Sequence, residues 1–364
     1  MADLIEIKGN IKEIIYSPTM CDELPEFQEN YLETALKTSS AMILRLQNGS
    51  MALSRWVSPK RTRSYPYARV YNTLSFIGKK VTVIPIIKDE GLEGDRDFIQ
   101  FDTVSLMTLL GVYVIIAYYS NARRSIHIDP KSGRTYGNKI TDQEFDVNYV
   151  RKKVYEIADY QSDALHWNMK QLEYVGKIGE IALENYSKMS KMLGVKMHDQ
   201  SSARKKINTL LLGIESFRKA SRLSAVQAQH RESMTQQPKE LLTSGKKGTI
   251  TITNLYNGFY AFTVDEIYVE GDNVYLIEAK HTGSGIVPSI DDIKDALVKM
   301  LVFGNLKTVT IEDKELKAIA VIKLTSKNSM HYNDLQKKEK SLIDKVLIEA
   351  RKNNFHVIFN EEIL

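Results

Sequence analysis

A glutamate and a lysine two positions apart, Glu278 and Lys280, lie near the end of an apolar run, VYLIEAKHT at residues 274–282, and an acidic pair, Asp265 and Glu266, stands a short way upstream. In an extended chain, side chains alternate between faces, so Glu278 and Lys280 fall on one side together with Val274 and Leu276. If Asp265 meets Glu278, the two carboxylates and the backbone carbonyl of Ala279 form a hard, all-oxygen half-site. Mg2+ accepts such a half-site and completes its octahedron with water and a phosphate oxygen. With an ammonium beside it, the site suits phosphodiester hydrolysis, in which a metal-activated water attacks in line while positive charge stabilises the anionic transition state.

The elements that must position these groups are legible around them. Residues 260–269, YAFTVDEIYV, read as a strand, and Gly271-Asp272-Asn273 supplies the turn that folds it back on the 274–282 run. That hairpin brings Asp265 to the Glu278 end. Asp265 and Glu266 point to opposite faces, so only one of them faces the metal. Ser289-Ile290-Asp291-Asp292 then opens a helix whose Ile293, Ala296, Leu297, Met300 and Leu301 share one face. Residues 316–324 follow as a strand buried on both faces.

Asp265, twelve residues, then Glu278-Ala279-Lys280 resembles the motif of the PD-(D/E)xK nucleases, with Val264 where the family's name has proline. The order motif strand, helix, buried strand is also the family's. The resemblance implies an α/β fold with a restriction-endonuclease-like mixed sheet flanked by helices. It implies catalysis by Asp265, Glu278 and Lys280 and a Mg2+ held by Asp265, Glu278 and Ala279. A further glutamate often comes from a helix before the hairpin; Glu180, Glu184, Glu232 and Glu240 are candidates, with Glu232 favoured by its place in the chain. The chain looks most like a type II restriction endonuclease, which cuts double-stranded DNA at a short site as a homodimer and is paired with a DNA methyltransferase. Two other readings stay open: a repair or junction nuclease of the same fold, and a non-catalytic DNA-binding protein in which the EAK strand is structural.

With 364 residues, 43% of them hydrophobic, the chain has room for more than one core. Three parts are expected: an N-terminal α/β region at 1–150, a central helical region at 151–242, and the nuclease-like core at 243–364. A lone cysteine, Cys21, excludes an internal disulfide and a cysteine-rich zinc site and suits a reducing compartment. Charges dispersed through the first residues leave no signal-peptide block, so a cytoplasmic protein is expected. Residues 103–122 carry no charge. Gly111 divides them into a helix-like part, 104–110, and a β-branched, aromatic part, 112–119, which reads as buried core and not as a membrane span.

Net charge is only +5, but residues 34–88 contain no Asp or Glu and ten Lys or Arg. Such a block points to a polyanion. Within it, SPKRTRSYPYAR at 58–69 reads as a proline-broken exposed loop. Its Lys60, Arg61, Arg63, Tyr65 and Arg69 are the candidates for contacting DNA, through phosphates, base edges and stacking. The spacing of Phe27, Tyr31, Ala35 and Leu36 predicts that the first fifty residues are mostly helical. The acidic stretch at 89–102 is a second-choice site. Residues 121–138, which include His127, read as a loop or hairpin, and 150–242 as helices, in which Arg204, Lys205, Lys206, Arg218, Lys219 and Arg222 recur at spacings that place several on one face. A helix at 334–352 and a strand at 355–359 close the chain.

Overall fold

The computed structural model describes residues 5–60, 65–128, 135–211, 246–254, 259–328 and 330–364. The chain divides into two compact units, Met1–Glu23 with Arg222–Leu364, and Leu24–Ser221. Two units therefore stand where three parts were expected. The described central helices belong to the same unit as the α/β region before them, and the first 23 residues belong to the same unit as the C-terminal part. The class is mixed α/β, with several sheets and helices.

β1 (Ile5–Ile11) belongs to the split unit, and the continuous unit follows it. Instead of a mostly helical start, β2 (Glu26–Gln28), β3 (Ala41–Leu46) and β4 (Gly49–Arg55) form, with a 3-10 turn at Glu29–Tyr31 and the short Leu32–Thr38 helix among them. Ala35 and Leu36 are buried from that helix, but Phe27 sits in β2. The helical spacing spanned a strand and a helix. The Asn48-Gly49 turn between two apolar runs was the stronger signal.

β5 (Lys80–Pro85), β6 (Ile87–Asp89), β7 (Arg96–Phe98), β8 (Val112–Ala117), β9 (Tyr119–Ile128) and β10 (Thr135–Phe145) complete the strands of this unit. Its main sheet runs β2-β3-β4-β5-β8, with β4, β5 and β8 parallel. β8 is buried along its whole length, and Gly111, at φ 65, turns the chain into it from the Phe101–Leu109 helix. That removes the uncharged run at 103–122 from contention as a span. Among the described residues no helix is long and apolar enough to cross a membrane.

The other edge of β8 is closed by side chains of the Ala164–Glu173 helix. Buried Asn168 accepts from Val114 N–H at 2.7 Å and donates to the Val112 carbonyl at 3.0 Å, while Trp167 Nε1–H donates to the Val114 carbonyl at 2.8 Å. An edge so occupied cannot recruit another strand. Residues 58–69 are only partly a loop. Pro66 opens a helix, Pro66–Tyr71, a position where its missing N–H has no cost, and Tyr67 is buried edge-on to Trp56.

In the split unit, β11 (Lys246–Asn254), β12 (Phe259–Glu270), β13 (Asn273–Thr282), β14 (Thr308–Ile311) and β15 (Lys314–Ser326) join β1 in the order β13-β12-β11-β1-β14-β15. Parallel pairing of β13 with β15 closes these six strands into a barrel. β16 (His356–Phe359) and β17 (Glu362–Ile363) extend β15 beyond the ring. β1 pairs with β11 from Ile5↔Gly248 to Ile11↔Asn254, and with β14 through Lys8↔Thr310 and Gly9↔Val309. Gly248 is required by close approach, since a Cβ there would lie 1.9 Å from Ile267 Cδ1 and 2.7 Å from the Ile5 carbonyl oxygen.

The Ile290–Phe303 helix packs on β13 and β15. Ser289 caps it, accepting from Asp292 N–H at 3.2 Å. Ile293, Ala296, Leu297, Met300 and Leu301 are buried as their spacing predicts. So is Lys294, at 0% exposure, whose ammonium lies 2.6 Å from Asp22. The chain after β1 is stitched to the C-terminal helices by paired hydrogen bonds. Asn305 accepts from Ile15 N–H and donates to its carbonyl, and Asn353 does the same for Ser17.

Candidate functional site

The site is built where the β12–β13 hairpin leaves regular pairing. From Glu270↔Asn273 back to Glu266↔Ile277 the two strands are in register, and Gly271 turns between them at φ 61. On the other side of β12, pairing with β11 steps from Gly248↔Val264 to Lys246↔Ile267, three residues against two. The extra residue falls at Asp265-Glu266, a bulge that re-aims side chains. Asp265 Oδ2 accepts the Ala279 N–H at 2.9 Å, so a carboxylate stands where the next ladder bond would be.

Glu266 goes the other way. It pairs with Ile277, and Lys323 pairs with Ala279, so these side chains share the face opposite Glu278 and Lys280. There Lys323 Nζ lies 2.8 Å from Glu266 Oε1. Asp265, Glu278 and Lys280 are thus brought together, and Glu266 is committed elsewhere.

Glu278 is the centre of the cluster, only 1% exposed, and two ammonium groups hold it. Lys280 Nζ, from its own strand, is 3.0 Å from Oε1. Lys299 Nζ, from the Ile290–Phe303 helix, is 2.6 Å from Oε2 and 3.5 Å from the Thr263 carbonyl. Burial pushes the Lys280 amine down and Lys299 repels it, but the Glu278 carboxylate, with help from Asp295, outweighs both and raises its pKa above the ordinary lysine value. Lys280 is therefore a cation at neutral pH.

Lys299 and Asp295 were missed in the sequence. They stand four apart on the helix, and an isolated charged pair at that spacing reads as solvated surface. The usable signal was the helix's position between two largely apolar strands, against which one of its faces must pack.

The other candidates divide. Glu232, Glu240, Arg61, Arg63, Arg218, Lys219 and Arg222 lie outside the described residues. Glu180 and Glu184 are on the Val175–Leu193 helix of the continuous unit, and Glu180 pairs with Arg204 at 3.4 Å. Lys60 Nζ lies 2.6 Å from the buried Asp97. Arg69 donates to the Arg55 carbonyl at 3.0 Å. Tyr65, 43% exposed and left-handed at φ 48, presents its ring to solvent. Two of the acids of 89–102 are engaged within the fold: Asp89 accepts from Gly91 N–H and faces His198 Nδ1 at 2.8 Å, and Asp97 accepts from Ser58 Oγ at 2.9 Å.

Among the described residues no group of three or more His, Cys, Asp and Glu side chains is placed to hold a metal ion. Asp265 and Glu278 still fit Mg2+ chemically, as hard carboxylates of which one bonds the residue next to the other and the second already balances positive charge, with water and phosphate oxygens left to complete the shell. Ala279 is engaged through its N–H, by Asp265. No protein-family model matches this chain, and neither a curated protein nor a solved structure matches it.

Proposed function

We propose that the split unit carries a Mg2+-dependent PD-(D/E)xK nuclease site and that the protein is a type II restriction endonuclease cutting double-stranded DNA at a short sequence. The observation that supports this is the meeting of Asp265, Glu278 and Lys280 at one hairpin bulge. Asp265 and Glu278 would hold the ion, which when bound supplies a nucleophilic water at neutral pH and a Lewis acid for the phosphate. Lys280, kept charged by Glu278, would orient that water and steady the phosphate oxygens as negative charge grows. Ala279 N–H fixes the Asp265 carboxylate against the strand. A homodimer, a protecting methyltransferase and a cytoplasmic setting belong to the same reading, as does DNA contact by the 58–69 segment.

One observation favours the rival reading, a DNA-binding protein in which the strand is structural: Glu278 already has both oxygens in ion pairs. The two readings separate when purified protein is incubated with unmethylated phage DNA and Mg2+. Discrete fragments from the parent and none from Glu278→Ala support the endonuclease; uncut DNA from both, with binding intact, supports the rival. A ladder focused on junctions or lesions would indicate a structure-specific nuclease.

A further inference from the structure

The second lysine on Glu278 has no part in the chemistry outlined above. Lys299 comes from a different element than the motif, reaches Glu278 Oε2 at 2.6 Å, and has the Thr263 carbonyl at 3.5 Å on its other side. A carboxylate that is 1% exposed needs compensating positive charge at all times. Lys280 provides one cation on Oε1. Lys299 provides the second on Oε2, so both Glu278 oxygens carry an ammonium and a metal ion would have to displace one of them.

Resting on the nuclease reading of this site, we propose that Lys299 is a built-in competitor for the metal. Its ammonium holds the Glu278 oxygen while no divalent ion is bound and gives that oxygen up when one binds, setting how tightly the site takes its ion. Lysine suits such an exchange, since a compact ammonium on a four-carbon stem can swing to the neighbouring Thr263 carbonyl or to a phosphate oxygen without leaving the site. An arginine would hold the carboxylate with a planar two-pronged contact and yield it less easily.

The test is direct binding of Mn2+, read without DNA from loss of the free-ion EPR spectrum, on the full chain and on Lys299→Met, Lys299→Arg and Glu278→Gln. Removing a unit charge a few ångströms from a divalent ion strengthens its binding, so Lys299→Met should bind Mn2+ about tenfold tighter or more. Lys299→Arg should bind it several-fold more weakly. Opposite signs from the two variants support the competitor role.

Circular dichroism melts accompany each variant. Should Lys299→Met fail to fold, Lys299→Arg keeps the charge and carries the test alone. If Glu278→Gln loses Mn2+ while both Lys299 variants match the parent, the competitor role is wrong and the metal site stands. If Glu278→Gln binds Mn2+ as the parent does, or the parent binds none, the metal reading falls and takes this proposal with it.

Discussion

Asp265 and Glu266 are neighbours in the chain and serve opposite faces of one strand: Asp265 takes the Ala279 N–H at 2.9 Å beside Glu278, while Glu266 takes Lys323 at 2.8 Å behind it. The bulge between them decides which carboxylate is available for chemistry. Asp265→Asn should therefore abolish cleavage with the protein still folded. Glu266→Gln should leave the chemistry in place and cost about 1–3 kcal/mol of stability, because the partly buried Lys323 loses its charged partner. Adding Lys323→Met should restore much of that loss. Urea melts and cleavage assays on the three proteins check this; an active Asp265→Asn beside a dead but stable Glu266→Gln would reverse the assignment.

Lys280 is the residue on which the enzymatic reading turns. Its ammonium is held charged by Glu278, and a structural role alone would be filled in part by Lys299. Lys280→Ala should fold, bind DNA and cleave slower by a factor on the order of a hundred or more, the scale for loss of one transition-state donor. Arginine should rescue poorly. Cleavage by Lys280→Ala at the parent's rate would refute the motif's catalytic role.

In the basic segment, Lys60 and its neighbours should part company. Lys60 is tied to Asp97, which is buried and also accepts from Ser58. Lys60→Ala should lower the stability of its unit by about 1–3 kcal/mol, as expected when a buried charged group loses a partner, and leave the salt dependence of DNA binding unchanged. Arg61→Ala with Arg63→Ala should weaken DNA binding and flatten its salt slope. A flattened slope from Lys60→Ala with no change in melting temperature would make Lys60 a phosphate contact.

The helix Gln200–Leu211 carries a pH signature at its start. Asp199 accepts hydrogen bonds from the Ser201 hydroxyl and from the Ser202 and Ser201 N–H groups, which lower its pKa to about 2. Because the folded value lies below the unfolded one near 3.9, this contribution is fully present above about pH 5 and is lost as pH falls toward 2. Asp199→Ala should melt earlier than the parent at neutral pH, and the gap should close near pH 2. A gap that stays constant down to pH 2 would mean the carboxylate's charge plays no part.

The motif hairpin was legible because two independent local signals, period-two alternation and the Gly271-Asp272-Asn273 turn, agree there. The Ser289 cap and the five apolar positions after it were legible for the same reason. What escaped is non-local. Lys299 becomes part of the site only because its helix is packed on β13, and nothing within ten residues of it says so. The barrel escaped because its closure depends on β1, whose partners lie at 246–254 and 308–311. The first fifty residues were misread where a strand residue, Phe27, happened to fall in helical phase with the Leu32–Thr38 helix.

That same splitting of the barrel unit orders events during synthesis. Asn10 and Thr253, hydrogen-bonded across β1 and β11, are 243 residues apart, and the whole continuous unit is made in the interval. A contact over that separation forms late, since the loop between must be closed before any pairing rewards it. A chain still on the ribosome can complete the Leu24–Ser221 unit, with its basic segment, while Asp265, Glu278 and Lys280 have yet to be joined to it. Asp265, Glu278 and Lys280 are made only after the whole Leu24–Ser221 unit, so a growing chain carries the basic segment before it carries the carboxylate–lysine cluster.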